Sequence, residues 1–130
     1  MSQKRRAAAS KGSALATHEK VSLAMSALEG RKAVDPVLLD MRDLTIITEY
    51  FLICHGTSST HVRGLVEAVT SDLAEQGARP ASVEGSHESG WTLIDYGDVI
   101  VHIFAEEERS FYGLERLWSD APRVAAAAEA

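Results

Sequence analysis

The chain has a single cysteine, Cys54, among its 130 residues, so no internal disulfide can form and nothing calls for an oxidising compartment. No apolar run approaches the roughly 20 residues needed to span a bilayer, and no secretory h-region is present. Cys54, His55 and His61 lie close in sequence, but no second Cys/His pair completes a zinc pattern, so no metal is expected. Basic groups are scarce beyond residue 18: nine stand against nineteen acidic groups, a net of −10. A body of that charge repels phosphate backbones and suits a basic protein partner.

What is present is ordinary for one globular domain, at 45% hydrophobic and 25% charged. Residues 1–18 hold Lys4, Arg5, Arg6 and Lys11 and no acid. They are expected to form a disordered basic tail, with an RNA-grazing arm or a short organellar transit segment as functional alternatives. The ordered domain is expected over 19–122, and the Ala-rich end, 123–130, as a second tail.

Residues 17–32 read as a helix capped by Thr17, with Val21, Met25 and Leu28 at helical spacing and Gly30 near its end. "PVLLDMR" (36–42) and "EYFLICH" (49–55) read as strands, the second buried on both faces. From residue 57, Val62, Leu65, Val66, Val69 and Leu73 form one stripe of an amphipathic helix. Thr57, Ser58 or Ser59 supplies its cap, Gly77 its stop, and Gly64 weakens its interior. A short strand (81–85), the loop "SHESG" and a hairpin (91–95, 98–104) follow. "EEERSFYGLERLW" is a final helix, its acids at the positive end of the dipole and Phe111, Leu114, Leu117 and Trp118 as its apolar stripe. The order α-β-β-α-β-β-β-α predicts an α/β fold: a single mixed sheet of about five strands flanked by helices.

The hairpin "GWTLIDYGDVIVHIF" (90–104) is the most informative stretch. A two-residue Tyr96-Gly97 loop would pair Asp95 with Asp98, Leu93 with Ile100 and Trp91 with His102. Alternation then puts Thr92, Ile94, Tyr96, Val99, Val101 and Ile103 on a core face. Trp91, Leu93, Asp95, Asp98, Ile100, His102 and Phe104 share the other. That second face is either covered by a helix or is an interface of apolar anchors with a charged rim. A catalytic alternative also exists. Paired carboxylates can hold a divalent metal, and "HGTSS" before a helix can hold phosphate, although no Lys follows its glycine as in a P-loop.

Three stretches in order, "LLDMRDLTIITEYFLICHGTSSTHVRGL" (38–65), "WTLIDYGDVIVHIF" (91–104) and "FYGLERLW" (111–118), resemble the ribosomal silencing factor, or Iojap, family. The resemblance spans about residues 19 to 122. It implies a nucleotidyltransferase-like sheet without the catalytic residues, hence no enzyme and no cofactor. It implies binding to the large ribosomal subunit through the ribosomal protein numbered fourteen, blocking the small subunit and repressing translation. Large-subunit assembly is the neighbouring role, and a nucleotide-binding nucleotidyltransferase-like module the more distant one. By resemblance, Trp91 and Leu93 are apolar anchors and Asp95 and Asp98 pair with Lys or Arg of the partner. Tyr96 contributes from the loop, His102, Phe111 and Tyr112 lend support, and Asp40 and Arg42 orient the sheet edge. Gly113 departs from the family pattern and should loosen the last helix; the "SHESG" loop departs as well. A bacterial cytoplasm is expected, with no membrane contact. The exposed hairpin face is also able to form a homodimer when the protein is free.

Overall fold

A computed structural model describes residues 15–125. Most of the two expected tails therefore lies outside the described residues. Within them the elements run α1 (Thr17–Gly30), β1 (Val34–Asp40), β2 (Tyr50–Gly56), α2 (Ser59–Glu75), β3 (Ser82–Ser86), β4 (Trp91–Asp95), β5 (Val99–Ala105), α3 (Glu106–Tyr112), α4 (Leu114–Leu117) and β6 (Arg123–Val124). The strands form one mixed sheet in the order β3-β4-β5-β2-β1-β6. Only β2 and β5 pair in parallel, at its centre, from Tyr50↔Val99 to Gly56↔Ala105.

The sheet has six strands where about five were expected. The extra one, β6, is two residues that pair with Leu38 and Leu39, at the start of the stretch read as the C-terminal tail. It is too short to leave a period in the sequence, yet it covers the outer edge of β1.

The α2 stripe is as expected. Val62, Leu65, Val69 and Leu73 are fully buried, and Ser58 is the cap, its Oγ accepting from the His61 amide at 3.0 Å. The α1 start differs: Ala16 occupies the cap position and has no side-chain acceptor to offer. Glu19 closes half of a capping box instead, accepting from the Ala16 amide at 2.8 Å. Both helices lie on one face of the sheet. Val21, Leu28, Leu52, Val101 and Ile103 belong to the largely aliphatic core beneath them. Cys54 is buried there, and burial pushes its thiol up to about 12, so it stays protonated and inert.

The β4–β5 turn corrects one expectation. Tyr96 N–H donates to the Val99 carbonyl at 2.9 Å, and Asp95 pairs with Ile100. The loop residues are thus Gly97 and Asp98, not Tyr96 and Gly97. Gly97 has φ +89°, the positive value that a type II′ turn requires at its first central position. The register moves by two residues rather than one, so the faces do not exchange. Leu93 faces His102 and Trp91 faces Phe104.

That turn is anchored from outside. Lys20 on α1 is 2% exposed, and its Nζ lies 3.0 Å from Asp98 Oδ1. Thr17 Oγ1 donates to Asp98 Oδ2 at 2.7 Å. The Asp98 carbonyl accepts from the Glu49 and Tyr50 amides, where β2 begins. One aspartate therefore joins α1, β2 and the hairpin. Removing the carboxylate strands a buried ammonium, which costs several kcal/mol in general, whereas removing both charges costs far less. We predict that Asp98→Ala lowers unfolding stability by about 3 kcal/mol, and that adding Lys20→Met restores much of it. Urea titration of the two variants checks this; equal losses in the single and double variants would refute the pairing.

Candidate functional site

The sheet's other face is aromatic. All three Phe, both Trp and Tyr112 lie in one chain of ring contacts. Trp91 stacks on Phe104 at 5.1 Å between centroids, and Tyr112 reaches over from α3 to 4.6 Å from Trp91. Trp118 meets Phe51 edge-on at 6.1 Å. Leu39, Met41, Ile53, Phe104 and Ala121 are buried beneath α3 and α4. The face is thus partly covered by the last helices and partly open, so both readings of the hairpin apply to different parts of it.

Gly113 breaks the last helix in two. It adopts a left-handed φ of +59°, and its N–H closes α3 on the Arg109 carbonyl. The loosening expected at this residue is therefore a bend between α3 and α4. Arg109 holds the bent pair to the sheet. Its guanidinium makes two bonds to Glu115, at 2.9 and 3.0 Å, and donates to the Val34 carbonyl and to His55 Nδ1. The hydrogen bonds from Arg109 hold the Glu115 carboxyl below its ordinary value, and burial followed by Arg109 lowers His55.

The bend leaves apolar groups in solvent. Phe111 is 78% exposed, Leu117 70% and Tyr112 45%. Trp91, Leu93 and Asp95 are half-buried beside them on the same face. Asp95 spends one oxygen on the Gly97 amide, at 2.7 Å. These residues form an open apolar surface with an acidic rim.

The remaining residues expected at the site lie elsewhere. Tyr96 is 3% exposed and belongs to the core beneath α1 and α2; it does not reach out from a loop. Asp98 is turned to Lys20 and Thr17. His102 is 3% exposed and lies under the aromatic layer, where its Nδ1 accepts from Trp91 Nε1 at 3.2 Å. That bond leaves the ring proton on Nε2, a buried group packed near the Phe51 ring, whose centroid is 4.5 Å away. Asp40 and Arg42 pair with each other at 2.7 Å beside the β1–β2 loop. Sequence reasoning passed over that loop's tip, where Ile46 is fully exposed and Ile47 75% exposed.

The elements of the catalytic alternative do not meet. Gly56 and Ala105 are partners at one end of the central strands, whereas Asp95 pairs with Ile100 and Asp98 precedes β5 at the other. Five strand residues separate the two levels, about 16 Å. At the "HGTSS" turn, His61 Nδ1 accepts from the Thr57 amide and Nε2 bonds to the Arg31 carbonyl at 2.7 Å. Both ring nitrogens are thereby used within the fold. No cluster of three potential metal ligands occurs among the described residues.

Comparison with known proteins places the chain among relatives. Residues 14–130 match the profile of the family described as ribosomal silencing factor during starvation. A ribosomal silencing factor of Halalkalibacterium halodurans is 40% identical over 110 residues, covering 85% of this chain and 94% of that protein. A crystal structure of a protein from Chromobacterium violaceum superposes with a TM-score of 0.77 at 36% identity, covering 81% of this chain and 88% of that one. A mouse protein named for mitochondrial assembly of the ribosomal large subunit is 26% identical over 102 residues, covering 76% of this chain and 45% of its own length.

Burial of His102 makes stability pH-dependent. Desolvation lowers its pKa from 6.5 to about 4, so the unfolded chain takes up the proton first as pH falls. Its contribution is complete above pH 6.5 and is lost between 6.5 and 4. His55, lowered by burial and Arg109, acts in the same direction. Glu49, raised by burial and Asp98, acts in the opposite one. Between pH 7.5 and 5 His102 alone should remove about 2 kcal/mol. His102→Gln, which keeps an acceptor for Trp91, should flatten the pH dependence by that amount in urea titrations. An unchanged slope would contradict the assignment.

Proposed function

This chain belongs to the ribosomal silencing factor family, and we propose that it binds the large ribosomal subunit and blocks association with the small one, repressing translation. The observation that carries this reading is the open surface of Leu93, Asp95, Phe111, Tyr112 and Leu117, set on a body that is strongly acidic beyond residue 18. Exposed aromatic and aliphatic anchors with an acidic rim suit a basic protein partner, as the ribosomal protein numbered fourteen would be by family resemblance. Trp91 supports the surface from beneath, and Asp98, His102 and Tyr96 act on it through the fold. The role is one of steric exclusion and involves no reaction, cofactor or metal. It is exercised in the cytoplasm, and in the free protein the same surface can also receive a second copy of the chain.

A second reading, assistance in large-subunit assembly, is favoured by the name of the mouse relative. Both readings share the binding step and differ in its consequence. Purified protein should co-sediment with isolated large subunits and reduce the joined fraction when small subunits are added. Leu93→Asp and Phe111→Ala should each weaken binding by about thirtyfold or more, equivalent to ~2 kcal/mol. Binding without reduced joining would shift the function to assembly. Wild-type binding by both variants would discard this surface. Sedimentation velocity of the free protein, with and without Leu93→Asp, reads out self-association.

A further inference from the structure

A cleft opens at the edge of this surface, between β3, β4 and α3. It is lined by Glu84, Gly85, Ser89, Trp91, Leu93 and Tyr112 and holds about 260 Å³. That is below the roughly 300–1,000 Å³ of small-molecule sites. It is too small for a nucleotide and suits one long side chain.

The walls define what that side chain should be. Tyr112 and Trp91 have ring centroids 4.6 Å apart and planes at 47°, forming an angled aromatic corner. Trp91 cannot swing freely, because Nε1 is bonded to His102 and the ring stacks on Phe104. Glu84 is the cross-strand partner of Leu93, so a carboxylate stands directly beside an apolar group. The Glu84 side chain is exposed, and its carboxylate has no hydrogen-bond or ion-pair partner among the described residues. Gly85 lets β3 pass close to the Trp91 backbone beside the cleft. Its φ is +79°, and a Cβ there would collide with the Trp91 carbonyl oxygen.

An unpaired carboxylate beside an aromatic corner suits a cation, and its flanking leucine suits an alkyl stem. A guanidinium fits better than an ammonium, since it both stacks on aromatic faces and presents a planar fork to a carboxylate. We propose that the cleft receives one arginine side chain of the protein partner, its stem along Leu93 and its guanidinium between Glu84 and the Trp91–Tyr112 corner. The proposal rests on this face being the partner-binding surface. It adds Glu84 and the cleft as the element that selects a basic residue at one defined point.

The test measures binding of labelled large subunits by wild type, Glu84→Gln, Glu84→Lys, Tyr112→Leu and Leu93→Asp at low and moderate salt. Glu84→Gln should bind about tenfold more weakly with a shallower salt dependence, since a charge-assisted bond is lost. Glu84→Lys should bind more weakly still, and Tyr112→Leu about fivefold more weakly. Thermal unfolding of the Glu84 variants should match wild type, because the carboxylate has no internal partner. Wild-type affinity in Glu84→Gln, or tighter binding by Glu84→Lys, overturns the cleft; if Leu93→Asp is then defective, the wider surface still stands. Wild-type affinity in all variants, Leu93→Asp included, overturns both.

Discussion

The contact between Lys20 and Asp98 sets the geometry on which the rest depends. Three parts of the chain that are remote in sequence meet at one carboxylate: the first turn of α1, the start of β2 and the β4–β5 turn. Fixing that turn fixes the register of β4 against β5, and the register decides which residues face the aromatic layer. The same aspartate had the appearance of a partner-binding group in a linear reading. Its carboxylate instead bonds to Lys20 and Thr17 and ties the hairpin to α1.

The two faces of the sheet divide the labour by side-chain type. The face under α1 and α2 is packed chiefly with aliphatic residues and closed to solvent. The other face gathers six of the eight aromatic residues and is closed only in part, by two short helices bent at Gly113. A continuous final helix would place its apolar stripe along one line. The bend divides it, so Leu114 and Trp118 turn to the sheet while Phe111 and Leu117 remain outside. Arg109 is the strap for this arrangement, reaching β1, β2 and α4 from a single guanidinium.

Much of this was legible because local periods carried it. The α2 stripe, the doubly buried β2 and the alternation of the hairpin all follow from spacing, and the faces survived a register error because it was even. The turn itself was legible too: Gly97-Asp98 has glycine where a type II′ turn needs it, and only the competing Tyr-Gly reading obscured it. What could not be read depended on distant partners. Lys20 adjoins an apolar stripe without belonging to it, and its burial makes sense only beside Asp98. Glu84 gains meaning from lying opposite Leu93, and β6 exists only because the edge of β1 awaits it. Tyr96 looked like a loop residue until the turn moved one position onward.

The parallel pair at the centre also has a consequence in time. β2 lies between β1 and β5, but its β5 partner is encoded 49 positions later, as Tyr50↔Val99 shows. At typical elongation rates of 5–20 residues per second, the nascent chain carries that unpaired, strongly apolar strand for about 2 to 10 seconds. During this interval the β1–β2 ribbon is a third of the sheet with an open seam, able to accept a foreign strand that offers matching hydrogen bonds. The α2 helix, which follows β2 directly and packs over it, is the first element able to shield the ribbon while the seam waits for its proper neighbour.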